Sequence, residues 1–255
     1  MIIKIALVLL PGFIIVHAIK FMRLYLIMVE DDISFGRFLF AYFRATLVNL
    51  IIPYKLGEVY RIAVFSHISG KIKNGFLAVL VDRFFDTLAL VFILVPYQLF
   101  IKGEISIPVV LLFAFVLFVL FTYVVFPSTY GFLNRYIIVK RHSSKSLATL
   151  NALEAVNGWY EYVRKLVAGR YGMLVLFSFA AWIVEMLILA VFYKMYQMVF
   201  SIGVFGEYIE SIIMGGSYEL KSEYAMITIL IIALATLVSM FVYLFGRMSK
   251  KRVNK

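Results

Sequence analysis

The sequence predicts an all-α polytopic membrane protein, a bundle of transmembrane helices interrupted by re-entrant or broken segments, with an inverted repeat as a possible plan. Three observations predict it. Of 255 residues, 64% are hydrophobic and the mean hydropathy is +0.99, far above the roughly half-apolar composition of water-soluble domains. Apolar runs of about twenty residues recur, the length that crosses the hydrocarbon core of a bilayer. The net charge of +11, from 25 Lys and Arg against 14 Asp and Glu, gathers beside those runs. Anionic headgroups and the positive-inside rule account for it there, with no nucleic acid required. The absence of cysteine excludes disulfides and thiolate chemistry.

Taken in order, spans are expected at about 2–28, 75–99, 105–126, 171–200 and 224–245, all within one domain over residues 1–255. The first is apolar at once and lacks a small-residue cleavage site, so it reads as a retained span rather than a signal peptide. Pro11 is expected to bend it, and Lys20 and Arg23 fall at its end. Glu30-Asp31-Asp32 then makes an acidic break. Residues 33–52 are apolar but carry Gly36, Arg37, Arg44 and Asn49. That mixture predicts a re-entrant or protein-buried segment, since irregular backbone at membrane depth needs protein or water around it. The 105–126 run is nearly pure hydrocarbon, and Pro127 is expected to end it. In the basic region that follows, Leu147, Leu150, Leu153, Tyr160, Val163 and Val167 recur at helical spacing. An amphipathic helix over about 145–168, lying on the cytoplasmic membrane surface, is the expectation.

Cations set the orientation. Arg135, Lys140, Arg141, Lys145, Arg164, Lys165 and Arg170 precede one pair of spans, and Arg247, Lys250, Lys251, Arg252 and Lys255 follow it. Both groups are expected on the cytoplasmic side of a prokaryotic plasma membrane, with the C-terminus there and residues 55–73 on the same side. The N-terminus falls outside if residues 33–52 re-enter, and inside if they cross.

The most informative polar stretch is Asn49-Leu-Ile-Ile-Pro53-Tyr-Lys55-Leu-Gly57-Glu58-Val-Tyr60-Arg61. Pro53 breaks a helix, and Gly57 permits close backbone approach or a positive φ. Glu58 and Arg61 share a helix face and can pair. A helix start beside Lys55 and Arg61 suits a phosphate, although a plain cytoplasmic basic loop has the same composition. In the next span, Asp82 and Asp86 lie one turn apart, with Arg83 beside them. Charges inside a span are costly and face the bundle interior or a wet cavity. Arg83 can pair with Glu58 or hold a lipid phosphate, and an interhelical ion-pair lock explains the same residues. Paired carboxylates also suit Mg²⁺, but no further acidic cluster stands nearby, and His17, His67 and His142 lack metal-ligand spacing. No metal, cofactor or catalytic residue is expected.

The pattern Pro53-x-x-x-Gly57-Glu58-x-x-Arg61, followed by Asp82-Arg83-x-x-Asp86, resembles the lysylphosphatidylglycerol synthase transmembrane-region family, also described as flippase-like membrane proteins. The resemblance covers most of the chain and is sharp from about residue 20 to residue 95. It implies a multi-helix bundle that moves lipids or lipid-linked sugars, with Lys55, Gly57, Glu58, Arg61, Asp82, Arg83 and Asp86 as the substrate-binding set. Against the family pattern the chain is expected to lack the usual first span and a soluble aminoacyltransferase domain, so it is not expected to synthesise lysylphosphatidylglycerol itself. Gly206-Glu207, with Phe205 before it, echoes Leu56-Gly57-Glu58 on the opposite side, as an inverted repeat requires. Glu185, deep in its span, is a further second-half candidate.

The expected function is therefore binding, and translocation across the cytoplasmic membrane, of an anionic lipid or a polyprenyl-phosphate-linked glycan. Two alternatives stay open: an enzyme acting on a lipid phosphate or sugar through Glu58, Asp82 or Asp86, and a non-transporting membrane partner of a glycosyltransferase or synthase.

Overall fold

In a computed structural model the described residues are 2–52, 56–140, 144–214 and 217–253. They form α1 (Ile2–Ile27), α2 (Phe35–Ile51), α3 (Leu56–Ser69), α4 (Ile72–Tyr97), α5 (Ile107–Lys140), α6 (Ser144–Val167), α7 (Tyr171–Met195), α8 (Ile202–Met214) and α9 (Lys221–Val253), with no strand among the described residues. An all-helical answer follows from the composition: without water to satisfy N–H and C=O groups, a helix that pairs them internally is the available spanning structure.

Four helices are long and apolar enough to cross a membrane: α1, α5 over Ile107–Val139, α7, and α9 over Lys221–Met248. The fifth expected span, α4, has 26 residues, about 39 Å at 1.5 Å per residue. Asp82, Arg83 and Asp86 at its centre set it apart from the other four. It lies inside the bundle, packed against α1, α3, α5 and α7. The protein, rather than lipid, solvates its charges.

Helices α2 and α3 form a hairpin of 17 and 14 residues, about 25 and 21 Å long and so shorter than a hydrocarbon core of about 30 Å. Asn74, just after the hairpin, donates to Asp31, just before it, at 2.8 Å. The hairpin therefore enters and leaves at the same end of the bundle. It packs through α2 on α9 and through α3 on α4.

Two apolar cores hold the bundle. One gathers Leu9, Phe13 and Val16 of α1 with Leu94, Leu189, Phe192, Ile209 and Ile227. The other gathers Leu24 and Ile27 with Phe38, Phe65, Ala78, Phe85 and Leu174. The seam between them is polar on each helix that runs through both: His17 and Lys20 on α1, Asp86 on α4 and Ser178 on α7.

Two expectations are corrected. Pro127 does not end α5, which continues to Lys140. Proline removes one helical hydrogen bond, whereas leaving the helix in apolar surroundings orphans several backbone groups. The continuing turns are also held from outside, where the Tyr130 hydroxyl donates to Glu154 of α6 at 2.6 Å. The 171–200 run ends as helix at Met195, where Gln197 takes a left-handed φ of 59°. The amphipathic helix forms as α6. It packs along α5 and α4: Lys73 donates to the Gly158 carbonyl at 2.6 Å and Phe76 meets Trp159. Pro11 lies within an unbroken α1.

Candidate functional site: a charged seam between two apolar cores

The site begins on α1. Arg23 is buried to 3% exposure, and its Nε donates to Asp82 at 2.7 Å while Nη1 donates to Asp86 and to the Ser178 hydroxyl, each at 2.9 Å. The second Asp82 oxygen accepts from Arg61 Nη2 at 2.8 Å, leaving Asp82 fully enclosed. Arg83 closes the set, with Nε on Glu58 at 3.1 Å and Nη1 on Asp86 at 3.4 Å. Asn49 near the end of α2 donates to the other Glu58 oxygen at 3.0 Å. Three guanidiniums thus face three carboxylates and the set is neutral. Burial of so many charges is tolerable because each has an opposite partner, with Ser178 and Asn49 adding hydrogen bonds.

Exposure divides the set. Arg23, Asp82 and Arg61 are interior, whereas the side chains of Glu58 and Arg83 are 26% and 37% exposed. The interior half is an interhelical lock joining α1, α3, α4 and α7. The outer half, the Glu58–Arg83 pair between α3 and α4, is the mouth of the seam.

Local structure explains the positions. Asp82 and Asp86 are one turn apart on α4, so a single guanidinium from α1 spans both. Gly57 sits at a close approach of α2 and α3: a Cβ there would collide with the Asn49 Cα. That approach lets Asn49 reach Glu58. Of the sequence candidates, Gly57, Glu58, Arg61, Asp82, Arg83 and Asp86 come together as expected, while Lys55, with Pro53, lies outside the described residues. The Arg83–Glu58 pair forms. Glu58 and Arg61 do not bond to each other, because Arg61 turns inward to Asp82.

The second-half candidates separate. Glu185 accepts from Lys20 Nζ at 2.9 Å, from the Tyr208 hydroxyl at 2.8 Å and from the Tyr224 hydroxyl at 3.3 Å. One helical turn from Lys20, His17 Nδ1 meets the Tyr42 hydroxyl at 3.1 Å. His17, Lys20 and Arg23 therefore form a polar ladder at i, i+3 and i+6 on α1, facing α2, α7 and α4 in turn. Gly206 is a packing glycine whose Cβ position is filled by the Tyr97 ring. Glu207 is exposed on α8 and makes no bond to the charged set. A distinct cluster ties the far end of α4 to α8, with Gln98 and Lys102 on Glu210 at 2.6 and 3.0 Å.

Sequence reasoning missed Arg23 and Lys20, which read as cations marking the end of a span. Their spacing of three along an otherwise apolar helix was the available signal, because it places both on one face. At the basic end, Glu30 receives Lys165 at 2.9 Å and Arg170 at 2.7 Å, and those bonds hold its carboxyl below the usual range. Burial pushes the neighbouring Asp31 carboxyl up, although Asn74 and Tyr162 donate to it.

No curated protein and no solved structure matches the chain. The family model described as the lysylphosphatidylglycerol synthase TM region matches residues 1–216, a stretch that contains the hairpin, α4 with its paired aspartates and the Glu185 helix. The chain belongs to the lysylphosphatidylglycerol synthase transmembrane-region family, and so to integral membrane proteins that act on lipids.

Proposed function

We propose that the protein binds an anionic lipid, or a polyprenyl-phosphate-linked glycan, at the Glu58–Arg83 mouth and carries its headgroup across the cytoplasmic membrane. The observation that supports this reading is the partly exposed ion pair, 3.1 Å long, at the centre of a long helix and beside a hairpin too short to cross. Fixed charges at such a depth suit a headgroup that must leave water, and half-length helices at mid-depth are where transporters place their sites. In this reading Arg83 exchanges Glu58 for the lipid phosphate, while Arg23, Arg61 and Asp82 position Asp86 and the mouth. The basic end of the bundle, with Lys165, Arg170 and the α9 tail, faces the cytoplasm.

The test is reconstitution into liposomes with a fluorescent phospholipid whose outer-leaflet fraction is read by dithionite quenching. Arg83→Ala should abolish protein-dependent exchange while leaving the protein folded. Exchange at the wild-type rate in that variant would reject the mechanism.

A further inference from the structure

Besides the exposed Arg37, the hairpin carries a second guanidinium that the charged seam does not use. Arg44, on α2, has no carboxylate within ion-pair distance among the described residues, although Arg23, Arg61 and Arg83 all do. Its Nε is enclosed without a hydrogen-bond partner. The guanidinium instead lies over two rings, 5.4 Å from the centroid of Phe40 one turn earlier and 5.8 Å from that of Tyr60 on α3. Phe40 stacks in turn on Tyr243 of α9 at 5.8 Å. The residue is half-buried.

Two aromatic faces do not neutralise a cation. They fix its plane beside an enclosed Nε, and a charge held away from water without a counter-ion is costly. The seam cannot supply the missing anion, since Glu58, Asp82 and Asp86 each already hold an arginine. A planar guanidinium, oriented by rings and lacking a counter-ion, matches the tetrahedral oxygens of a phosphate ester, which its terminal N–H groups can engage in pairs.

We propose that Arg44 is a phosphate-binding site on the α2–α3 hairpin, distinct from the Glu58–Arg83 mouth, and that its ligand is the phosphate of a membrane lipid. The lipid-handling reading supplies the ligand class, and the charge imbalance at Arg44 supplies the position. Phe40 and Tyr60 orient the guanidinium, and the lipid completes its neutralisation.

Purified full-length protein in a neutral detergent, titrated with phosphatidylglycerol, diacylglycerol and inorganic phosphate, tests the site by native mass spectrometry together with thermal melting. Wild type should bind phosphatidylglycerol in preference to diacylglycerol, which lacks the phosphate. Arg44→Met keeps an apolar stem between the rings and removes the charge. It should weaken phosphatidylglycerol binding about tenfold or more and, without anionic lipid, melt no lower than wild type, because an uncompensated charge has gone. A lower melting temperature for Arg44→Met in lipid-free detergent would make Arg44 a structural strut and overturn the proposal, as would unchanged phosphatidylglycerol affinity. Displacement of the lipid by equimolar inorganic phosphate would overturn the lipid assignment. The outcomes are separable from those for translocation: loss of binding in Arg44→Met stands whether or not Arg83→Ala stops exchange, and arrested exchange in Arg83→Ala stands whether or not Arg44 binds phosphate.

Discussion

Arg23 offers the sharpest test of the charged seam. Replacing it with Gln removes one positive charge from a neutral set of six and breaks three bonds at once, to Asp82 at 2.7 Å, Asp86 at 2.9 Å and Ser178 at 2.9 Å. Asp82 keeps only Arg61, and Asp86 keeps only the longer 3.4 Å contact from Arg83. Asp82 is fully enclosed, so water cannot take the place of the lost guanidinium. Removing one partner of a buried pair costs about 3–5 kcal/mol, and the expected loss lies in that range. Arg23→Lys should recover part of it, since a point charge reaches one carboxylate well but cannot fork across two. Adding Asp82→Asn to Arg23→Gln should recover part as well, by restoring charge balance. The assay is reversible unfolding in mixed micelles followed by tryptophan fluorescence from Trp159 and Trp182. A loss below about 1 kcal/mol for Arg23→Gln, the level of a solvent-exposed ion pair, would refute the description of the seam as a desolvated lock.

Further outcomes follow from the same geometry. Lys20→Met should destabilise more than Glu185→Gln, measured by the same unfolding. The first strands a buried carboxylate with only two tyrosine hydroxyls, whereas the second leaves a partly exposed lysine that can extend toward solvent. Gly57→Ala drives a methyl into the Asn49 backbone and should cost about 1–3 kcal/mol, while Gly206→Ala meets only the Tyr97 side chain and should cost less. Glu30, with its carboxyl depressed by Lys165 and Arg170, stabilises the native state above the unfolded pKa of about 4.3. That contribution is lost as pH falls through the lower folded value. The gap in melting temperature between wild type and Glu30→Gln should therefore be present at pH 6 and close in acid, and a gap independent of pH would contradict the assignment.

The sequence by itself determined the class of the protein and several members of its charged seam. Hydropathy dictated helices, because no other open structure satisfies a backbone in hydrocarbon, and four of the five expected spans stand as helices fit to cross. Local spacing placed Asp82 and Asp86 on one face, and Gly57 and Glu58 stand in the first turn of α3. The Glu58–Arg83 pair was also legible, since a charge within a span needs an opposite charge somewhere. Pro127 misled because a local breaker rule competed with the cost of leaving a helix in an apolar setting, and packing on α6 decided the outcome.

Only the tertiary structure could assign the partners. Arg23 lies 59 residues from Asp82 and 155 from Ser178, and Lys20 lies 165 from Glu185. No periodicity in a single helix encodes which distant carboxylate meets which cation. The packing of α1 against α4 and α7 made that choice, placing a polar seam between two apolar cores. It paired Arg61 inward, left Glu58 and Arg83 at the mouth, and set Arg44 against two rings with no carboxylate among the described residues to answer it.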